Sequence, residues 1–249
     1  MQNTNRIGIA CILVLPLSLT GPAFAQKPAV LDPNALALLK QSTAVYQALH
    51  SYSCDVGAEL KVDSLPGSRM TILKIQFQKP DHAAVSVIRY GETKQVYTDG
   101  KQVYSYIPDK KQYTADALPP NISAAAVVLT QGESFIGLTL LKPDGLLTND
   151  GNIESLTLGA PEMLNGVRVR TVAKTMRGRN GGKLTFFVSI GTKDNLIYRF
   201  ASTLQSPTPL PIGDGKARRV DNIENYSDIK VDQTLPASAF LPPPEAKKL

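Results

Sequence analysis

The chain has 249 residues, of which 43% are hydrophobic and 6% aromatic, and its formal net charge is +6. This length accommodates one all-β domain or two small ones. The absence of a Gly/Ser linker, a repeat or a charge block favours one. The positive charge suits contact with an anionic membrane surface better than binding to nucleic acid, although a basic, solvated surface is the simpler interpretation.

The first 25 residues are typical of a secretory signal peptide. One arginine in MQNTNR precedes the apolar run 7-IGIACILVLPLSL-19 and the small-x-small sequence 23-AFA-25. We therefore predict export to the periplasm, cleavage after Ala25, and one mature domain over 26–249. No later segment has the roughly 20 consecutive apolar residues that a membrane-spanning helix requires.

The two cysteines do not indicate a disulfide framework. Cys11 in 8-GIAC-11 faintly resembles a lipoprotein cleavage site, but most of the apolar run follows it rather than precedes it. Cleavage after Ala25 leaves Cys54, which cannot form an internal disulfide. We expect a buried, inert thiol in a strand, with an intermolecular bridge as the alternative.

A helix is predicted directly after Asp32, because aspartate is a good N-cap and proline suits the first helical position. Apolar residues recur at helical spacing through 33-PNALALLKQSTAVYQALHS-51, so this helix is amphipathic and needs a partner surface. Its apolar stripe consists of Ala35, Leu38, Leu39, Val45, Tyr46 and Leu49.

From Tyr52 the hydrophobic period changes to two, which indicates β-strands. Short turns separate these strands, so neighbours pair antiparallel. The alternating segments are 56-VGAELKV-62, 70-MTILKIQF-77 and 82-HAAVSVIRY-90. On the second of them one face carries Leu73, Ile75 and Phe77.

The segment 94-KQVYTDGKQVYSYIPDKKQY-113 holds four tyrosines around Asp99-Gly100. If this pair forms a two-residue turn, Tyr97 pairs with Gln102, and each face of the hairpin can be read off. The uncharged face carries Thr93, Gln95, Tyr97, Gln102, Tyr104 and Tyr106. The other face carries Glu92, Lys94, Val96, Lys101, Val103 and Ile107. We expect the uncharged face to point inward, as ordinary core or against a ligand; a longer loop would shift the register.

The middle of the chain breaks the alternation. Within 121–141 the run 124-AAAVVL-129 has no polar face, and a helix of this kind is usually covered on most sides. We predict a central apolar helix that plugs or caps the sheet.

Strands resume near Ile153, and Asn165-Gly166 supplies turn chemistry between two of them. The expected strands are 153–159, 166–176, 183–190, 195–203 and 216–231, and the tail 239-AFLPPPEAKKL-249 is too proline-rich to continue a strand. The predicted fold is α+β and mainly antiparallel β. It is a half-open curved barrel of about nine to eleven strands, wrapped over the N-terminal helix and the central apolar helix.

Basic residues alternate along the predicted strand 166–176, where Arg168, Arg170 and Lys174 share one face. A solvated strand face is the simpler interpretation. A cationic patch that meets anionic headgroups is the alternative.

Motifs for catalysis, metals or phosphate are absent from the sequence. His50 and His82 have no partner at metal-ligand spacing. Ser134 in 132-GESFIG-137 lacks the second glycine of a nucleophile elbow. The glycine-rich 178-GRNGGK-183 and 213-GDGK-216 lack the Ser/Thr of a phosphate loop. We therefore assign no catalytic residue, no metal and no cofactor, and predict that the protein is not an enzyme.

Several short pieces, in their order along the chain, resemble the LolA/LolB-like superfamily of periplasmic lipoprotein carriers, and most closely its uncharacterised predicted periplasmic proteins. They are Phe77-x-x-Pro80, Thr98-Asp99-Gly100-Lys101, Tyr104-x-Tyr106-x-Pro108, Gln112-Tyr113 and 226-YSDIKVDQTLPASAFLPPP-244. The resemblance implies an unclosed antiparallel barrel over helices with a hydrophobic cavity for acyl chains, without cofactor or catalytic residues.

The function predicted from these observations is a periplasmic binding protein that carries or senses a lipid or the acyl chains of a lipidated protein. Two alternatives stay open: an adaptor that binds the periplasmic segment of an inner-membrane protein through a sheet edge, and an enzyme whose site assembles only in three dimensions. The candidates for the cavity wall are Leu73, Ile75, Phe77, Tyr104, Tyr106, Phe186 and Tyr198. Expected partners are a lipid or acyl chain and an anionic membrane surface, and not nucleic acid.

Overall fold

The computed structural model describes residues 29–120, 122–147, 153–178, 181–212 and 214–249. The predicted signal peptide and the alternative cleavage site at Cys11 lie outside these ranges.

Helix α1 (Pro33–Ala48) begins where the sequence predicts. The Asp32 carboxylate accepts a hydrogen bond from the Asn34 N–H at 2.8 Å, and Pro33 occupies the first helical position. Ala35, Leu39 and Tyr46 of the predicted stripe are fully buried. The helix ends at Ala48 and the first long strand starts at Ser51, so the boundary lies a few residues before that predicted.

Strands of the described residues form one open, curled sheet, and its order is β1-β8-β9-β10-β11-β12-β2-β3-β4-β5-β6-β7-β13. The strand bounds are β1 Val30–Leu31, β2 Ser51–Val62, β3 Arg69–Gln78, β4 His82–Arg89, β5 Glu92–Asp99, β6 Gln102–Ile107, β7 Gln112–Ala117, β8 Ile153–Leu164, β9 Val167–Arg177, β10 Lys183–Gly191, β11 Ile197–Gln205, β12 Arg219–Val231 and β13 Lys247–Lys248.

Two antiparallel meanders make up this sheet, β2 to β7 and β8 to β12. The last strand of the second meander pairs with the first strand of the first one, with Tyr226 opposite Val56 and Glu224 opposite Ala58. The mainly antiparallel, half-open fold is therefore as predicted. The strand count exceeds the prediction because β1 and β13 are two-residue strands, too short to show alternation.

Helices cover the inner face of the sheet. The segment predicted as one central helix forms two, α2 (Ile122–Thr130) and α3 (Ile136–Leu141), because Gln131 and Gly132 adopt positive φ of 53° and 70° and end α2. A hydrophobic cluster joins both helices and α1 to the strands. It contains Leu39 and Tyr46 of α1, Leu129 of α2, Leu140 of α3, and Leu73, Ile75 and Phe77 of β3.

The hairpin formed by β5 and β6 corrects two expectations. Tyr97 pairs with Tyr104 rather than with Gln102, because the Asp99 carboxylate accepts from the N–H groups of Lys101 and Gln102, both at 2.9 Å, and holds a longer loop. This shift of two residues keeps the composition of both faces.

The expectation that the tyrosine face points inward is wrong. Val96 and Val103 are 0% and 3% exposed and belong to the main core cluster. The charges that share their face, Glu92, Lys94 and Lys101, lie at the exposed hairpin ends and do not prevent burial at its centre. Tyr97, Tyr104 and Tyr106 therefore lie on the outer face.

The C-terminal segment folds back across that outer face. A 3₁₀ turn over Ala237–Phe240 contacts β4 and β5, and the Phe240 ring meets His82 edge-on at 5.5 Å. Beyond the prolines, β13 pairs parallel with β7. The expectation that the tail forms no strand is therefore wrong for Lys247 and Lys248, which follow the proline run and pair with β7.

Replacing Phe240 with alanine is expected to lower the free energy of unfolding by about 3 kcal/mol, since its side chain is fully buried. Leu241→Ala is the matched control, because Leu241 is 42% exposed and such a change stays within about 0.5 kcal/mol. Urea denaturation of both variants measures the difference. Equal effects would show that the tail is not packed against the sheet.

Candidate functional site

A small cavity of about 50 Å³ lies between the inner face of β9 to β11 and the helices. Helix α1 contributes Leu39, the turn before α3 contributes Phe135, and a 3₁₀ turn over Pro143–Leu146 contributes Gly145. The strands contribute Val172, Lys174, Phe186, Val188 and Phe200. The cavity is therefore lined by apolar residues together with one charged residue.

Three phenylalanines form one wall of the cavity. The rings of Phe135 and Phe200 stack at 3.9 Å with an interplanar angle of 4°, and Phe186 lies 5.6 Å from Phe200. Ring pairs of this kind contribute about 0.5–1.5 kcal/mol each beyond area burial. They hold the turn that carries Phe135 against the sheet.

A buried carboxylate on β12 fixes the same turn. Glu224 is 1% exposed and accepts hydrogen bonds from the Ser134 hydroxyl at 2.6 Å and from the Phe135 N–H at 2.9 Å. Two neighbours on its own strand, the Tyr226 hydroxyl at 2.7 Å and the Asn222 amide at 3.0 Å, complete the set. All of these described partners are neutral.

Burial raises the pKa of Glu224, and the hydrogen bonds from Ser134, Tyr226, Phe135 and Asn222 offset part of that rise. Without a cation among the described donors, removal of the carboxylate from water is the dominant effect. The side chain is therefore an anchor whose strength depends on pH.

A second carboxylate anchors the turn in the opposite direction, from cover to sheet. Glu133 accepts from Arg69 of β3 at 2.9 Å and from Arg89 of β4 at 2.7 Å, and its side chain is 8% exposed. The Thr71 hydroxyl lies 3.3 Å from the same carboxylate. The turn over residues 133–135, which we call the cover turn, is thus attached to both meanders by side chains.

The residues predicted for the cavity wall fall into three places. Leu73, Ile75 and Phe77 lie together in the core on β3. Phe186 and Tyr198 pack half-buried against that core, and Phe186 touches the cavity. Tyr104 and Tyr106 lie on the outer face, where the Tyr104 hydroxyl donates to Asp99 at 2.9 Å.

The Tyr198 hydroxyl donates to Asp194 at 2.6 Å. Burial, then this hydrogen bond, raises the pKa of Tyr198 to about 12. Tyr198 is consequently a neutral, structurally bonded residue at the edge of the core.

Sequence reasoning missed Phe135, Phe200 and Glu224. Phe200 lies in a predicted strand and alternation could have found it, whereas Glu224 looks like any polar strand residue. Its partners Ser134 and Phe135 are 90 and 89 residues away in the sequence. No local pattern could have paired them.

Lys174 corrects the expectation of a solvated basic face on β9. It shares its face with Val172, which is 1% exposed, and both residues line the cavity. Arg168, near the start of the same strand, is exposed as expected. Residues on this face are therefore exposed at the start of β9 and buried further along it, because the helices cover only part of the sheet.

Cys54 is a free, buried thiol, and burial raises its pKa to about 12, so it is inert as expected.

Within the described ranges no three His, Cys, Asp or Glu side chains come together as metal ligands would. None of the described helices has the length and hydrophobicity needed to cross a bilayer.

The raised pKa of Glu224 predicts a pH effect of defined sign. The folded protein holds this proton more tightly than the unfolded chain, so stability falls as the pH rises from about 4.5, the ordinary pKa of the group, through its higher pKa in the folded protein. The free energy of unfolding of the wild type minus that of Glu224→Gln should fall across this window and then level off.

Urea denaturation at a series of pH values measures this difference, with Glu92→Gln, at an exposed glutamate of β5, as the control that shows no such fall. If the difference in unfolding free energy instead grows with pH, the hydrogen bonds lower the pKa of Glu224 by more than burial raises it.

Several solved structures are similar to this chain over most of its length. They include lipoprotein LppX from Mycobacterium tuberculosis, at 15% identity and a TM-score of 0.48 over 83% of this chain and 99% of that one. LprF from Mycobacterium bovis has 14% identity and a TM-score of 0.47 over 82% of this chain and 97% of that one. A LolA superfamily protein from Nitrosomonas europaea has 12% identity and a TM-score of 0.35 over 83% and 97%.

No curated protein shows significant similarity to the chain. Residues 35–137 match the model of a family described as predicted periplasmic protein (DUF2092), which confirms the resemblance to that group.

Proposed function

We propose that this protein is exported to the periplasm, loses residues 1–25, and binds an acyl chain or lipid tail between its sheet and its helices, as a carrier or sensor without catalysis. The observation that carries the proposal is the apolar cavity under the cover turn. The periplasmic description of the matching family supports the location.

The cavity is too small for a whole chain in this closed form. An apolar cavity of about 150 Å³ holds benzene, and the volume here is about 50 Å³. Binding therefore requires the cover turn to move away from the sheet. Candidates for the wall of the widened hollow are Leu73, Ile75, Phe77, Phe186 and Tyr198.

The cover turn is attached in a way that suits such a movement. The backbone N–H groups of Gln131, Gly132 and Glu133 donate within helix α2, at Val128, Val127 and Thr130. The turn is held to the sheet by Glu133, Glu224 and the ring of Phe135 instead. Helices α2 and α3 can thus separate from the sheet without loss of strand pairing.

The energy gained by burying an acyl chain is of the same order as the energy of the polar anchors. A dozen buried methylene groups contribute about 10 kcal/mol. Hydrogen bonds to charged groups contribute about 1.5–3 kcal/mol each, so a bound chain can offset the loss of several of them. Without a chain, the anchors keep the apolar wall closed to water.

The adaptor alternative has weaker support. Strand β8 forms one sheet edge, and β1 covers it at Ser155 and Leu156. The exposed remainder contains Pro161 and a register shift between Leu158 and Pro161, features that discourage strand addition. For the enzyme alternative, the described acids of this region are engaged in structural contacts, since Glu154 pairs with Arg177 and Glu162 accepts from Thr171, while Asp150 lies outside the described residues.

Binding of a neutral fluorescent naphthylamine probe by the mature protein tests the proposal. We expect saturable binding that Val172→Phe weakens at least roughly tenfold, since this change fills the cavity. Ala173→Phe is the matched control, because the next residue along the strand points to the opposite face. Thermal melting confirms that both variants fold.

Native mass spectrometry of the protein purified from a periplasm provides a second measurement, with organic extraction of bound lipid. A bare protein mass together with no probe binding would end the proposal.

The cover anchors predict the rate of ligand uptake. Glu133→Gln removes the charge held by Arg69 and Arg89, so the open form becomes more populated and probe association should quicken roughly tenfold. Stopped-flow fluorescence measures this rate, and Glu154→Gln, which removes an exposed ion pair on β8, is the control. An unchanged rate in a folded Glu133→Gln protein would show that the cover does not gate the hollow.

A further inference from the structure

We propose that Lys174 makes the hollow selective for single-chain amphiphiles with an anionic head, either a carboxylate or a phosphate. This inference rests on the proposed function and names the ligand class for the same site. The structure places a lysine among the apolar residues that line the cavity.

The surroundings of Lys174 are apolar on its own face of the sheet. Its cross-strand partners are Leu156 on β8 and Phe186 on β10. The next inward residue toward the start of β9 is the buried Val172. Among the described residues that line the cavity, Lys174 is the charged one.

A half-buried lysine in this position has two functional parts. Its aliphatic stem packs along the apolar wall, while the ammonium group stays near polar surroundings. An anion that meets this ammonium at the edge of an apolar hollow is screened less than it would be at an open surface. The ammonium is a compact point charge with rotatable donors, so it accepts carboxylate and phosphate alike.

The other buried charges of the hollow are engaged by the cover. Glu224 accepts from four groups and Glu133 from Arg69, Arg89 and Thr71. These contacts hold the closed form. Lys174 has an interaction partner in the closed form as well, and the head of the ligand would replace that partner. The chain of the ligand would then extend along Phe186 and Phe200.

Displacement of the neutral naphthylamine probe by palmitate, hexadecyl phosphate and hexadecanol tests this inference at neutral pH. In the wild type we expect both anions to displace the probe at roughly tenfold lower concentration than the alcohol, the size of one hydrogen bond to a charged group. A preference for one anion over the other identifies the head as carboxylate or phosphate.

Lys174→Met should abolish the difference between the anions and hexadecanol, while Lys174→Arg should restore it. Lys183→Met is the matched control, because Lys183 is exposed on β10 and its neighbour Leu184 occupies the inward face. If hexadecanol binds as tightly as the anions in the wild type, or if Lys174→Met keeps the difference, the inference is overturned and the proposed function stands. If none of the three compounds displaces the probe, both fail.

Discussion

The pairing of β12 with β2 is the constraint on which the rest of this structure depends. It joins two meanders, each formed by near neighbours in the sequence, into one sheet that is large enough to curl. It also places Glu224 on the inner face between Ala58 and Phe200, where it meets the cover turn. Without this long-range pairing neither the curved face nor the anchor under the helices would exist.

In the cover turn, polar groups fix the position of a segment that packs against an apolar interior. An apolar helix end pressed against an apolar sheet has no preferred position, because the hydrophobic effect is not directional. Two carboxylates supply the direction: Glu224 reaches the turn from the sheet, and Glu133 reaches the sheet from the turn. Both carboxylates are buried and accept hydrogen bonds from several donors. These bonds fix the position of the cover turn, although its backbone does not pair with any strand.

The two faces of the sheet divide the aromatic residues by role. Phe135, Phe186 and Phe200 lie inside and have no polar group to satisfy. The tyrosines of β5 and β6 lie outside, where a hydroxyl can reach a partner such as Asp99. The C-terminal segment covers part of this outer face through Phe240, which is buried there and meets His82 edge-on.

The sequence by itself determined the elements: the Asp32 cap, the period of two from Tyr52 onward, and the mainly antiparallel class all follow from contacts within a few residues. It also placed Leu73, Ile75 and Phe77 on one face, since alternation is a property of a single strand. Only the tertiary structure decided which face of the β5–β6 hairpin points inward, because both faces carry uncharged residues and burial depends on the helices above them. The same holds for Lys174 and Glu224, whose surroundings come from strands and turns far away in the chain. Local periodicity contains no information about those partners.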